Sequence, residues 1–168
     1  MKKIILSLML LTPFFFSSCE DVKELTGSME FTIDKESYSF PVATFVKDGD
    51  KTIITSSELT NTATITFKGK TTQTYPLGIG ADLIEAILNI NKLDKAENVF
   101  IYFPTGGLDD SFISLYGTLQ ITEYTSKTIV GTFTGFGITA KQAREGVEEI
   151  ITNEKKAFTG KFTAKAVN

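Results

Sequence analysis

Residues 113–136 read ISLYGTLQITEYTSKTIVGTFTGF. Apolar residues alternate with polar ones along most of this stretch, which is typical of β-strands that bury one face. The first strand passes through Ile113, Leu115, Leu119 and Ile121. Thr125-Ser126-Lys127 predicts a turn, and residues 129–136 form the second strand. The stretch therefore predicts a long antiparallel hairpin.

Three strands share a pattern in which an apolar residue, any residue, Gly, any residue and an apolar residue follow one another. The pattern covers residues 115–119, 129–133 and 158–162, with Gly117, Gly131 and Gly160 at its centres. Because alternate strand residues share a face, each Gly is expected to point inside with both of its apolar neighbours. A strand tolerates such a Gly where it coils sharply or where a large side chain needs the room.

The glycine pattern predicts a strongly curved sheet, which is either a small barrel or a coiled β-sandwich. Its interior could be hollow and hold an apolar ligand, or it could be filled, with the glycines leaving space for Phe rings. We favour the filled core because small barrels are normally packed with side chains.

The same alternation predicts further strands along the rest of the chain. They cover residues 29–33, 38–46, 51–57, 62–68, 71–77, 99–103 and 158–164. Turns are predicted at Asp34-Lys35-Glu36-Ser37 and at Asp48-Gly49-Asp50. Residues 99–103 are apolar on both faces, so this strand should be covered on both sides. The fold class is therefore all-β and mainly antiparallel.

Residues 139–153 break the alternation and predict one helix before the last strand. The apolar residues follow helical spacing at Ala143, Val147, Ile150 and Ile151. Thr139 and Gln142 have the spacing of a capping box, while Gly146 weakens the helix by about 1 kcal/mol. Its other face carries charges of both signs, so we interpret it as a plug that completes the core, with a lid over a barrel mouth as the alternative. A second short helix is predicted over 82–90, where a strand at 87–90 is the alternative.

The first 18 residues differ from all that follow. Lys2 and Lys3 precede an apolar run at 4–11, which Phe14, Phe15 and Phe16 extend. This order is typical of a secretory signal peptide. Ser17-Ser18-Cys19 then resembles the lipobox of bacterial lipoproteins, with Phe16 where Leu is commoner.

The lipobox resemblance implies cleavage between Ser18 and Cys19 and a diacylglycerol on the Cys19 thiol. Cys19 is the only cysteine, and an unpaired thiol would be a liability in an oxidising envelope. We therefore predict a signal peptide at 1–18, a lipidated tether at 19–28 and a single β domain at 29–168. The predicted location is the cell envelope, on the outer membrane, and the lipid is the only predicted membrane contact.

Composition excludes several classes of function. Without residues 1–18 the chain has 150 residues, with 15 basic against 20 acidic side chains and a net charge of −5. Such an acidic domain has no electrostatic case for binding nucleic acid. The sequence has no His and no Trp, which excludes Ser–His–Asp and Cys–His catalysis and the usual zinc sites. We predict no catalytic residues, no metal and no cofactor.

Carboxylates are the remaining acid–base groups. Asp109-Asp110 follows two glycines in a predicted loop, and Glu148-Glu149 lies on the predicted helix. A glycosidase needs two acids that face each other about 5–9 Å apart, which adjacent residues do not provide. We interpret both pairs as solvated acids. Asp48 and Asp50 lack the regular spacing of a calcium loop.

The chain resembles a family of uncharacterised lipoproteins from Bacteroidetes-type envelopes. The similarity lies in residues 117–124 and 129–133, in 150–153 leading to 158–162, and in the segments 29–40 and 74–77. The resemblance implies an all-β envelope protein of unknown activity. The sequence departs from the family at Lys155-Lys156, where Asn-Gly is usual, and at 79–90.

The sequence thus favours a lipid-anchored, non-enzymatic binding or assembly module. The sharper hypothesis is a lipocalin-like carrier of an apolar ligand. The alternatives are a carboxylate-dependent enzyme that acts on glycans, and a surface adhesin with an exposed apolar or aromatic patch.

Overall fold

The computed structural model describes residues 26–79, 98–145 and 155–167. Within these ranges the chain forms ten strands, a 3-10 turn and one helix. The strands are β1 (Ser28–Ile33), β2 (Glu36–Phe40), β3 (Ala43–Asp48), β4 (Lys51–Glu58), β5 (Asn61–Lys68), β6 (Thr74–Leu77), β7 (Val99–Phe103), β8 (Phe112–Tyr124), β9 (Thr128–Thr139) and β10 (Lys156–Ala166). The 3-10 turn is Leu108–Asp110, and helix α1 is Ala140–Glu145.

Seven strands close into a barrel, which confirms the all-β prediction and decides between barrel and sandwich. Around the ring the order is β3, β4, β5, β7, β8, β9 and β10. Neighbours pair antiparallel except at the closure, where β10 and β3 run parallel and Lys165 and Ala166 pair with Thr44 and Phe45. The β1–β2 hairpin extends the sheet along β10, and β6 extends it along β8.

The barrel is strongly sheared. The strand pairing can be followed once around the ring, starting from Lys165 on β10. It passes through Thr44 on β3 and ends at Ile138 on β9, which is the residue next to the partner of Lys156. The ring therefore closes about ten residues lower on β10, and such a stagger requires steeply tilted strands.

Aromatic rings fill the barrel interior. Phe100 lies 4.8 Å from Phe133 and 5.3 Å from Phe158 between ring centroids, and Phe31 meets Phe100 edge-on at 5.2 Å. All four side chains are at most 3% exposed. These contacts place the main core inside the ring, where large apolar residues exclude water.

Two of the three glycine patterns behave as predicted. Ile129 and Phe133 flank Gly131 in the main core, and Phe158 and Phe162 flank Gly160 there. A Cβ on Gly160 would lie 2.4 Å from Cζ of Phe133, and one on Gly131 would lie 2.6 Å from the Gln120 carbonyl oxygen and 2.8 Å from Cζ of Phe162. Gly160 therefore makes room for a ring, and Gly131 makes room for a ring and for the neighbouring backbone.

The third glycine pattern is only half right, because β8 changes face. Its register against β9 shifts between Ser114 and Tyr116, which marks a β-bulge. Leu119 lies in the main core, but Leu115 lies with Ile113 in a second cluster on the outer side of the wall. A Cβ on Gly117 would meet the backbone of Thr134 at 2.3 Å, so close backbone approach, not a ring, requires this glycine.

Helix α1 completes this outer cluster. Ala143 is 4% exposed and packs with Val99, Ile113 and Ile138. The capping box is confirmed, since the Gln142 backbone N–H donates to Thr139 Oγ1 at 3.2 Å and the Thr139 N–H donates to Gln142 Oε1 at 2.9 Å. The described part of the helix therefore covers the barrel wall from outside instead of completing the core within. It also explains why the strand at 99–103 is apolar on both faces.

The predicted strand over 38–46 is wrong as a single element. It divides into β2 and β3 around Pro41 and Val42, because Pro41 has no backbone N–H and the chain changes neighbours there, from β1 to β10 and β4. The turn predicted over 34–37 is shorter, since β2 begins at Glu36. Of the strand predicted over 71–77, only the part that forms β6 is a strand. The helix or strand predicted over 82–90 and helix residues 146–153 lie outside the described residues.

Candidate ligand-binding site

One end of the barrel carries an open pocket of about 850 Å³, within the range of roughly 300–1,000 Å³ that small-molecule sites occupy. Six chain segments meet there, namely the β1–β2 turn, the ends of β7 and β9, the 3-10 turn, and the starts of β8 and β10. The described residues that line the pocket are Ile33, Asp34, Lys35, Glu36, Tyr38, Tyr102, Pro104, Asp110, Phe112, Thr139, Lys156 and Ala157.

The floor of the pocket is apolar. It is formed by Ile33 and Phe112, which are 7% and 1% exposed. Beneath it, the Phe112 ring packs against Phe100 at 6.1 Å and Phe158 at 5.7 Å. The filled core therefore forms the base of the pocket, and the space for a ligand is at the barrel end.

Two tyrosines and a carboxylate form one wall of the pocket. The Tyr38 and Tyr102 ring centroids are 4.6 Å apart, and the Tyr38 hydroxyl donates to Glu36 Oε2 at 2.6 Å. Glu36 and Tyr38 lie two residues apart on β2, so they share a face, while Tyr102 comes from β7. The rest of the fold brings these strands together, since β2 and β7 are not neighbours in the sheet.

Both phenols stay protonated at neutral pH. Burial, together with the hydrogen bond to Glu36, raises the pKa of Tyr38 far above its usual value. Burial, with a smaller contribution from the negative charge of Glu36, also raises the pKa of Tyr102. The two hydroxyls are therefore neutral groups that can donate and accept hydrogen bonds.

The β1–β2 turn is tied to the start of β10. Asp34 has φ 53°, in the left-handed region that Asp tolerates better than most residues. Its backbone N–H donates to the Ala157 carbonyl at 2.8 Å, and the Ala157 N–H donates to Asp34 Oδ1 at 3.2 Å. This double contact holds Glu36 at the mouth of the pocket.

The two adjacent acids predicted as solvated have different surroundings. Asp109 forms an ion pair with Arg144 of α1, whereas Asp110 lines the pocket. They do not face a common substrate. Asp110 instead shares the pocket with Glu36, a residue that the sequence does not single out.

The other predicted sites are remote from the pocket or lie outside the described residues. Asp50 pairs with Lys68 at 3.5 Å in the β3–β4 turn region. Among the residues described, no three His, Cys, Asp or Glu side chains are grouped as they would be around a metal ion. Cys19, the predicted cleavage site after Ser18, and Glu148-Glu149 lie outside the described residues. In the described parts of the chain, no helix is long and apolar enough to cross a membrane.

The outer wall carries an exposed aromatic pair, which bears on the adhesin alternative. Tyr116 and Phe136 are 46% and 39% exposed, with ring centroids 5.4 Å apart. Lys155 Nζ lies 5.2 Å from the centre of the Tyr116 ring and 5.7 Å from that of Phe136. This pair is a small patch, already covered in part by a cation.

Sequence reasoning missed Glu36, Tyr38 and Tyr102 as a group. Their only local signal is the alternation that places Glu36 and Tyr38 on one face, and Tyr102 joins them only through the barrel. No known family model matches the sequence, and no curated protein is detectably similar to it. A function for the protein is therefore inferred from the geometry of the pocket.

Proposed function

We propose that the protein is a lipid-anchored binding module of the cell envelope, which takes the apolar part of a small ligand in the pocket at the barrel end. The observation that carries this proposal is the pocket itself. Its volume fits a small molecule, its floor is apolar, and its rim is polar. Small-molecule sites typically combine these features, at places such as the mouths of β-barrels.

A binding role is favoured over catalysis by the residue types in the chain. There is no His, and the one Cys is the predicted lipid attachment site. Of the adjacent acids that a glycan hydrolase would have used, Asp109 is held by Arg144 outside the pocket lining. The pocket thus offers surface for recognition without a paired acid and base at the predicted position.

The lipid anchor is supported by the lipobox-like end of the signal segment, and the entry of the chain into the barrel is compatible with it. Gly27 packs against β10 and β3, where a Cβ would lie 2.2 Å from the Thr163 carbonyl oxygen and 2.5 Å from that of Ala43. Strand β1 then runs from this point to the pocket end at Ile33. A tether that joins at Gly27 would leave the pocket mouth at the other end of β1.

Binding can be tested with N-phenyl-1-naphthylamine, an uncharged dye that brightens in apolar surroundings. We expect the domain from residue 20 onward to bind it, and Tyr38→Ala to weaken binding by about tenfold by removing one wall of the pocket. Tyr116→Ala is the matched control, since Tyr116 is also a partly exposed tyrosine that contacts another ring. Circular dichroism checks that both variants fold.

Loss of dye binding in Tyr116→Ala with retention in Tyr38→Ala would place the binding surface on the outer wall and overturn the proposal. So would an absence of binding to the unmodified domain. The anchor is tested separately by labelling the full chain with radioactive palmitate in bacterial cells. We expect the label in the unmodified chain and none in Cys19→Ala, whereas label in both would contradict lipidation at Cys19.

A further inference from the structure

The polar end of the ligand can be inferred from the groups at the Tyr38–Tyr102 wall. Tyr102 is 4% exposed and lines the pocket, yet its hydroxyl forms no hydrogen bond with any described residue. The hydroxyl oxygen itself is in contact with solvent in the pocket, since in the described parts of the chain Ser111 Oγ is the one fully buried side-chain oxygen or nitrogen without a partner. Its capacity to donate and accept hydrogen bonds is therefore available to a ligand. The hydroxyl marks where a polar group of the ligand would lie.

The two rings add a preference for positive charge. The ring centroid of Tyr38 lies 5.0 Å from that of Phe31, and Tyr38 also packs against Tyr102. Contacts with both rings therefore hold the Tyr38 ring in place. The face of an aromatic ring carries partial negative charge and attracts ammonium groups within about 6 Å. Tyr38 and Tyr102 both line the pocket, so an ammonium group bound beside Glu36 would lie next to these rings.

Glu36 supplies a full negative charge beside these rings. Among the described residues its carboxylate accepts one hydrogen bond, from the Tyr38 hydroxyl, and a carboxylate has capacity for several. The 2.6 Å hydrogen bond to Tyr38 and the 4.6 Å between the two ring centroids place this carboxylate beside both tyrosines. A ligand that donates hydrogen bonds and carries positive charge would satisfy all three groups.

The charge balance of the pocket points the same way. Asp34, Glu36 and Asp110 line it against Lys35 and Lys156, which leaves an excess of negative charge. The two lysines form no ion pair with the described residues, so an anionic ligand is the competitor that an experiment must separate.

We propose that the ligand carries an ammonium group, held by Glu36, Tyr38 and Tyr102, next to the apolar part that enters the pocket. This inference rests on the proposed function and specifies the ligand class for the same site. It predicts a cationic amphiphile, such as an alkylamine or a molecule with an aminated head group.

Three ligands with twelve-carbon chains test the inference, each below its critical micelle concentration. They are dodecylammonium, laurate and dodecyl maltoside, and their binding is measured by calorimetry and by displacement of N-phenyl-1-naphthylamine. We expect dodecylammonium to bind about tenfold more tightly than the other two. Glu36→Gln should weaken the binding of dodecylammonium about fivefold and leave that of dodecyl maltoside within about twofold.

Glu123→Gln is the control, because it removes the same charge from an exposed position on β8 that does not line the pocket. Tightest binding of laurate, or equal binding of all three ligands, would overturn the ammonium assignment while leaving the binding module intact. Failure of all three ligands and of the dye to bind would instead overturn the proposed function. An equal effect of Glu36→Gln and Glu123→Gln would show that only net charge matters, and would also overturn the assignment.

Discussion

Replacing Gly160 by Ala tests the packing that closes the barrel. Gly160 lies on β10 between Phe31 on β1 and Phe133 on β9, to which it is paired on its two sides. An added Cβ would lie 2.4 Å from Cζ of Phe133 and 2.7 Å from Cβ of Phe31. Both distances are too short for real contacts, so a ring or the backbone must move.

The Phe133 ring has little room to move. It is 1% exposed, and its centroid lies 4.8 Å from that of Phe100 and 6.3 Å from that of Phe162. Ala normally stabilises a strand by about 0.5–1 kcal/mol relative to Gly, whereas overpacking a core costs about 1–3 kcal/mol or more. We expect Gly160→Ala to lower the free energy of unfolding by about 2 kcal/mol, opposite in sign to the usual effect.

Urea unfolding followed by circular dichroism and tyrosine fluorescence measures this change, since the chain has no Trp. Thr159→Ala, at the exposed neighbouring position, should change stability by no more than about 0.5 kcal/mol. Phe133→Leu shortens the obstructing ring, so it should cost less in the Gly160→Ala background than in the unmodified chain. A Gly160→Ala protein as stable as the unmodified one, or no coupling between the two sites, would refute this account of the glycine.

Two further predictions concern polar groups. Folding raises the pKa values of Tyr38 and Tyr102, so the two phenols lose their protons at a lower pH in the unfolded chain than in the folded one. The stability that the protonated phenols contribute is therefore complete below about pH 10 and is lost as the pH rises further. Urea midpoints across this range should fall less in the Tyr38→Phe/Tyr102→Phe variant, and an unchanged fall would contradict the prediction. Thr52 is fully buried, and its Oγ1 lies 2.9 Å from the Gly69 carbonyl oxygen and 2.8 Å from the Tyr124 hydroxyl oxygen. Thr52→Val should lower the free energy of unfolding by about 1–3 kcal/mol, because it leaves both oxygens without this hydrogen-bond partner. A loss below about 0.5 kcal/mol in urea unfolding would show that these groups find other partners.

The parts of the fold that the sequence predicts well depend on neighbours along the chain. The hairpin of β8 and β9 is an example, since alternation defines both strands and Thr125 bonds back to Thr128 across the turn at 2.9 Å. The capping box of α1 is local in the same sense. Both features are decided within a few residues, and distant contacts do not override them.

The errors arise where a distant partner changes the phase of a strand. The sequence around Leu115 continues its alternation without interruption, yet the bulge turns Leu115 outward, toward the cluster that Ala143 of α1 completes. Nothing in residues 113–121 requires that change. The bulge allows β8 to contribute side chains to the outer cluster at one end and to the barrel core at the other.

The largest error, the single strand predicted over 38–46, lies beside the pocket. At Pro41 and Val42 the chain leaves β1 and joins β10 and β4, so among the described residues β2 pairs with β1 alone. Strand β2 therefore has one edge without a partner strand among the described residues, and the Tyr38 side chain packs against Tyr102 of β7. Tyrosine rings and the Glu36 carboxylate thus border the pocket above its apolar floor. Alternation continued through residues 38–46 would turn Val42 and Val46 inward with Phe40, but these two valines are 40% and 44% exposed, and Ala43 and Phe45 are buried instead. The change of partner strands at Pro41 and Val42 therefore shifts the phase of the alternation, which the sequence pattern does not reveal. The same change leaves Glu36 and Tyr38 on a separate strand, beside Tyr102 at the proposed binding surface.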